Sequence, residues 1–323
     1  TYKNQGILVE NGDDGDSFNY SPPRKDLEVF SNESESSVKI SGSDVYSQAV
    51  IHFDMVVPEN LEERAEGKVS VTMPVDMTVA LRKGSKVIDF NVKVDNKGLS
   101  HRLCVVFDSQ IVSAFNYADQ QFGLIKRPNY YEKEMKLYME SMNNRSEKKT
   151  GIQELANWAN DQSTWQEPPI SIEPTQSYIS LTDGKTGVAV IPQGVREYEV
   201  LDDSKIRLTL FRTYGFMGKE NLIYRPGRAS GERIIETPAA QLLKQMEFNF
   251  GFTTYAGDIN DADIDTLAKQ YDTNMEVYTY AEFLNGRLIF SQREIEGKND
   301  IVHSLFETEG NLVVSAIKKA EED

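Results

Sequence analysis

The sequence predicts an all-β protein, a large antiparallel sandwich of two sheets. Polar and apolar residues alternate over long stretches, the period of a strand with one buried face. Turn-forming residues separate these stretches and send the chain back on itself. Helical spacing is confined to a few short segments. Long antiparallel strands with few helices favour two packed sheets.

In chain order, the first notable segment is Asn11–Pro23, Asn-Gly-Asp-Asp-Gly-Asp-Ser-Phe-Asn-Tyr-Ser-Pro-Pro. Gly12 and Gly15 permit sharp bends, and Asp13, Asp14 and Asp16 supply acceptors and negative charge. Phe18 and Tyr20 are two apart, so an extended backbone points them to one side. Aromatics beside carboxylates are a common way to bind a sugar. Val69, Val71, Met73, Val75, Met77, Val79 and Leu81 are apolar at alternate positions, a long half-buried strand. Lys83-Gly84-Ser85 turns the chain, and Ile88, Phe90, Val92 and Val94 resume the alternation, so 69–81 and 86–94 are expected to pair as a hairpin. Asp95–Gly98 turns again into Leu103, Val105 and Phe107. Further strands are expected at 177–181, 187–191, 206–213, 246–254, 286–292 and 311–317. Phe248, Phe250 and Phe252 form a stripe that reads as core, with a sugar platform as the alternative. Helical spacing occurs at Met135, Tyr138, Met139 and Met142, and at Ile264, Leu267, Ala268 and Tyr271. Thr150-x-x-Gln153 resembles a capping box.

The chain has 323 residues and a formal charge of −16. That charge argues against nucleic acid or an anionic membrane as partner. No apolar run reaches the length of a membrane span. The single cysteine, Cys104, excludes an internal disulfide. It sits in a strand-like run and reads as a buried structural thiol. The absence of disulfides fits a reducing cytoplasm. The three histidines, His52, His101 and His303, lack ligand spacing. The Asp13–Asp16 cluster does not follow a calcium-loop pattern and reads as a solvated turn. Phosphate-binding, dinucleotide-binding and nucleophile-elbow motifs are missing.

Several ordered motifs resemble the C-terminal β-domain of bacterial glycoside hydrolase family 38 α-mannosidases. The Asn11–Pro23 segment is similar to its start. Asp119–Pro128, Thr182–Ile191, Gly194–Val200, Leu208–Thr213, Arg225–Ala229 and Thr237–Leu242 follow in the family's order. The resemblance implies a galactose-mutarotase-like supersandwich over 1–255, with a helical excursion near 129–165. Residues 256–323 are then a linker and part of a smaller β-module, truncated at the C-terminus. It also implies that zinc and the catalytic carboxylates belong to a separate N-terminal domain, leaving no cofactor and no catalytic residue here. Arg127 matches an arginine that reaches toward bound sugar; the bland alternative is a strand-end surface arginine. Phe18 stands where the family usually has tyrosine, so stacking survives and the hydrogen bond is lost or passes to Tyr20. Asp16 either orients a neighbouring loop or touches sugar.

The expected function is thus the non-catalytic C-terminal part of an α-mannosidase. It would support its own catalytic domain and line one wall of a mannoside pocket through Arg127, Phe18, Tyr20 and Asp16. An exposed apolar docking surface is expected, through which the chain could also form a homo-oligomer. Two alternatives remain: an autonomous carbohydrate-binding module, and a mutarotase-like epimerase needing a His and Glu pair in a cleft.

Overall fold

The structure, a computed structural model, describes residues 2–147, 167–225 and 234–273, together with 307 and 309. The chain divides into two compact units, Thr1–Asn274 and Met275–Asp323. The expected strands at 286–292 and 311–317, the capping sequence at Thr150 and His303 lie outside the described residues.

The first unit is two antiparallel sheets. The larger has nine strands, in spatial order β3 (Ser36–Gly42), β4 (Tyr46–Val57), β5 (Val71–Arg82), β6 (Val87–Asp95), β15 (Gln245–Ala256), β12 (Thr186–Gln193), β11 (Ile179–Thr182), β8 (Phe115–Gln120) and β9 (Gly123–Pro128). The smaller has six: β10 (Glu173–Pro174), β13 (Glu197–Leu201), β14 (Lys205–Arg212), β7 (His101–Asp108), β1 (Gln5–Gly12) and β2 (Val29–Phe30).

Alternation places the side chains as expected. β5 and β6 form the predicted hairpin, with Val75 opposite Val94 and Val79 opposite Phe90. The turn uses Gly84 at φ +83, where a side chain would be strained. Between the sheets, Phe107 of β7 meets Phe90, Phe250 and Phe252 at ring centroid distances of 5.3, 5.9 and 5.2 Å. Phe250 and Phe252 are therefore core, and Phe248 packs partly buried against them. Cys104 is fully buried on the opposite face of β7, its Sγ 3.7 Å from Thr209 Oγ1.

Six strands do not cover nine. The smaller sheet ends at β2, only two residues long. Beyond it the inner face of β3 and the first half of β4 stays exposed or half-buried.

Among the described residues three α-helices lie outside the ladders. α1 (Leu61–Glu66) is capped by Asn60, whose side chain accepts from the backbone N–H of Glu62 and Glu63, and it ends on Gly67 at φ 72. α2 spans Glu132–Glu147 within the expected excursion. α3 (Ile264–Asp272) sets Ile264 and Ala268 against Val87, Ala189 and Ile191 on the outer face of the large sheet.

Phe107→Ala should remove ring contacts that neighbouring strands cannot replace by collapsing. A loss of about 3–5 kcal/mol is expected, read as a lower urea midpoint at unchanged slope.

Candidate functional site

β1 leads into the segment singled out above. Its last residues alternate between faces: Glu10 points between the sheets, Asn11 to the outside of the smaller sheet. The chain then leaves the ladder. Asp13 N–H donates to Ser100 O at 2.9 Å, Asp14 N–H to Ser21 O at 2.7 Å and Asp16 N–H to Asn19 O at 3.0 Å. These bonds close a tight loop over Asp13–Ser21. Gly15 is required, because a Cβ there would sit 2.0 Å from Asn19 O.

The carboxylates turn inward rather than toward solvent. Asp13 Oδ1 accepts from Gly15 N–H at 2.9 Å, and Oδ2 accepts from Arg212 Nε at 2.7 Å. Asp16 Oδ1 accepts from the N–H of Phe18 and Asn19, at 2.9 and 3.1 Å. Its Oδ2 accepts from Lys219 N–H at 2.9 Å and pairs with Arg225 Nη2. Arg225 also donates to Asn19 Oδ1 and to Lys219 O. Asp14, half-buried, pairs with Lys219 Nζ.

Asp13 and Asp16 are shifted in opposite directions. Burial pushes the Asp16 carboxyl up, but Arg225 and the N–H groups of Lys219, Asn19 and Phe18 outweigh it, and the pKa ends below its ordinary value. At Asp13 burial outweighs Arg212 and the N–H groups of Gly15 and Ser21, and the pKa ends raised.

Tyr20 is buried. Its hydroxyl accepts from Asn11 Nδ2 at 3.0 Å, and the Arg102 guanidinium lies 3.9 Å from its ring centroid. Burial holds its phenol above the ordinary value. Arg102 Nε and Arg207 Nη2 both donate to Asn11 Oδ1, at 3.0 and 2.7 Å. Phe18 alone of the loop's large side chains faces solvent, 61% exposed. Beside it Ser17 Oγ donates to Met217 O at 2.6 Å, and Met217 N–H donates to Ile235 O at 2.7 Å. Met217 and Ile235 are also exposed.

Arg127 sits elsewhere. On edge strand β9, its Nη1 donates to Pro174 O at 3.0 Å and to Tyr198 Oη at 3.1 Å, and Nε lies 3.4 Å from Glu173 Oε2. It ties the edge of the large sheet to β10 and β13 of the small one. β13 and β1 are separated by three inter-strand steps, a lateral distance of about 14 Å. The loop gathers Asp16, Phe18 and Tyr20 but not Arg127. The residues missed by sequence reasoning are Arg212, Lys219 and Arg225. Two of them stood in recognised motifs, Leu208–Thr213 and Arg225–Ala229, without their role as counter-ions being visible.

A His and Glu pair does exist. His101 Nδ1 lies 2.9 Å from Glu10 Oε1 and Nε2 lies 2.8 Å from Asn96 Oδ1. Arg64 pairs with the same Glu10 oxygen. All four residues are buried, none more than 1% exposed. Among the described residues no cluster of three or more His, Cys, Asp or Glu could hold a metal ion. Among them too, no helix is long and apolar enough to cross a membrane.

The profile described as glycosyl hydrolases family 38 C-terminal domain matches residues 3–216. The chain is 24% identical over 294 residues to a protein of Halalkalibacterium halodurans named "Putative mannosylglycerate hydrolase", covering 85% of this chain and 28% of that protein. Two solved structures from Enterococcus faecalis share the fold. One is described as an alpha-mannosidase (TM-score 0.63, 19% identity, 84% of this chain and 28% of that one). The other is described as a protein in glycosyl hydrolase family 38 (TM-score 0.63, 18% identity, 84% and 29%). The chain thus spans less than a third of the length of each.

Asp16 titrates where stability can report it. Its folded pKa is depressed, so its stabilisation is complete above the unfolded value, about 3.9, and is lost as pH falls below it. Asp16→Asn leaves Arg225 buried without its counter-charge. It should unfold about 3 kcal/mol more easily at neutral pH, and the gap should narrow below about pH 4 in urea titrations.

Proposed function

The chain belongs to the family of glycosyl hydrolase family 38 C-terminal domains, and on that premise we propose that it is the non-catalytic C-terminal part of a longer enzyme acting on α-mannosides. Zinc and the catalytic carboxylates would be carried by another part of that enzyme. This chain would buttress that part and complete one wall of its sugar pocket.

The observation that carries the reading is the Asp13–Ser21 loop. Three carboxylates, two arginines and a lysine are committed to fixing a short segment whose large exposed side chain is Phe18. A mobile surface loop needs no such scaffold. A rigid aromatic presented at a fixed height is what stacking on a sugar ring requires. Asp16 and Tyr20 act here as supports beneath Phe18, since both are buried and Asp16 has its two oxygens committed to the loop, Lys219 and Arg225. Arg127 supports the same unit from its edge by joining the two sheets. The name of the Halalkalibacterium relative, a hydrolase of mannosylglycerate, favours a mannoside with an acidic group as substrate.

In the full-length enzyme, Phe18→Ala should lower kcat/KM on an aryl α-mannoside roughly tenfold, about 1.4 kcal/mol of transition-state stabilisation. Phe18→Tyr should keep most of the activity, and neither change should move the urea midpoint. The isolated chain should not hydrolyse the mannoside with or without zinc. Turnover by the isolated chain would overturn the non-catalytic role. Unchanged kcat/KM in Phe18→Ala would remove Phe18 from the pocket. Mannose binding by the isolated chain in calorimetry would favour an autonomous carbohydrate-binding module.

A further inference from the structure

Among the described residues β3 is one edge of the nine-stranded sheet, and every residue from Ser36 to Gly42 is exposed. Its ladder with β4 runs without a bulge from Ser36 opposite Phe53 to Gly42 opposite Ser47. The bond from Ser43 N–H to Tyr46 O sets the phase of that ladder. Bonding alternates along an antiparallel pair, so Ser37, Lys39 and Ser41 bond to β4, while Ser36, Val38, Ile40 and Gly42 turn their N–H and C=O groups to the open edge. Val38 and Ile40 also carry the strand's apolar side chains, 57% and 79% exposed, on the inner face where the small sheet gives no cover.

We propose that this edge pairs with the same edge of a second copy of the chain, antiparallel about a two-fold axis, joining the two nine-stranded sheets into one. An open, regular, apolar edge is a template for strand addition, and a two-fold axis makes the contact self-complementary. Charge selects the partner and the register. The chain carries a net charge of −16, yet β3 holds one charged side chain, Lys39. Lysine on an edge strand normally discourages pairing. Glu35 lies four residues before it, and the backbone is already extended one residue earlier, at Ser34 (φ −85, ψ 146). Pairing centred on Ser37 sets each Lys39 opposite the partner's Glu35 and keeps the two lysines apart. It brings Val38 diagonal to the partner's Val38, within side-chain reach on the uncovered inner face. The proposal is independent of the sugar pocket, because β3 lies on the sheet edge opposite to β9 and on neither strand that leads into the Asp13–Ser21 loop.

Sedimentation velocity on the full chain at rising concentration should reveal a species of twice the single-chain mass. Val38→Pro removes an outward N–H that this register sets against the partner's Ser36 while sparing the bonds to β4, and should leave the chain monomeric with an unchanged far-ultraviolet spectrum. Lys39→Glu should weaken association about tenfold by setting like charges opposite one another. Adding Glu35→Lys to Lys39→Glu should restore it. A wild-type chain that stays monomeric throughout would overturn the proposal. So would a dimer indifferent to Lys39→Glu, or a double variant that fails to recover. If Val38→Pro does not fold, the charge pair decides alone.

Discussion

Asp13 and Asp16 are held out of water beneath their own loop, and guanidinium groups from the far side of the chain make that possible. Arg212 lies 199 residues from Asp13, and Arg225 lies 209 from Asp16. Breaking either pair would strand a charge in a place where it cannot be hydrated. The loop therefore has no stable form of its own. β14 must be seated against β7, and β7 against β1, before Arg212 can arrive.

The same dependence separates what the sequence discloses from what it withholds. β5 and β6 were legible because seven alternating apolar residues admit one reading, a strand with one buried face. Glycines and aspartates marked the Asp13–Ser21 loop for the same local reason. The direction in which its carboxylates point was not local. Asp16 and Phe18 are two apart, yet one is sealed and the other exposed, because Arg225 is present on one side only. Tyr20 is likewise two residues from Phe18, but the Arg102 guanidinium claims its ring. Arg127 looked like a residue reaching for a ligand, and it reaches instead for Pro174 and Tyr198 of the opposite sheet. β3 escaped notice because its serines and glycine weaken strand propensity, and its pairing with β4 supplies what propensity does not.

The unequal sheets give the molecule three kinds of boundary. At β9, Arg127 stitches the two sheets together. At the β1–β7–β14 end, ionic pairs anchor the loop and the Glu10–His101 pair lies sealed beneath. At β3 the large sheet continues without cover. The last exposes backbone bonding capacity along its length, and the second combines charge, rigidity and an exposed aromatic. A contact that adds a strand belongs at one, and a contact that fits a ring belongs at the other.

Cys104 gives this arrangement a practical side. It is the chain's single cysteine, and its sulfur is wholly enclosed on β7. The native surface is consequently silent toward maleimides and other thiol reagents. A cysteine introduced at the tip of the loop or along the open edge would be the sole reactive thiol. A fluorophore or spin label there would report from one place, with no wild-type residue to remove first. Labelling of the unaltered chain would in turn measure how often β7 opens.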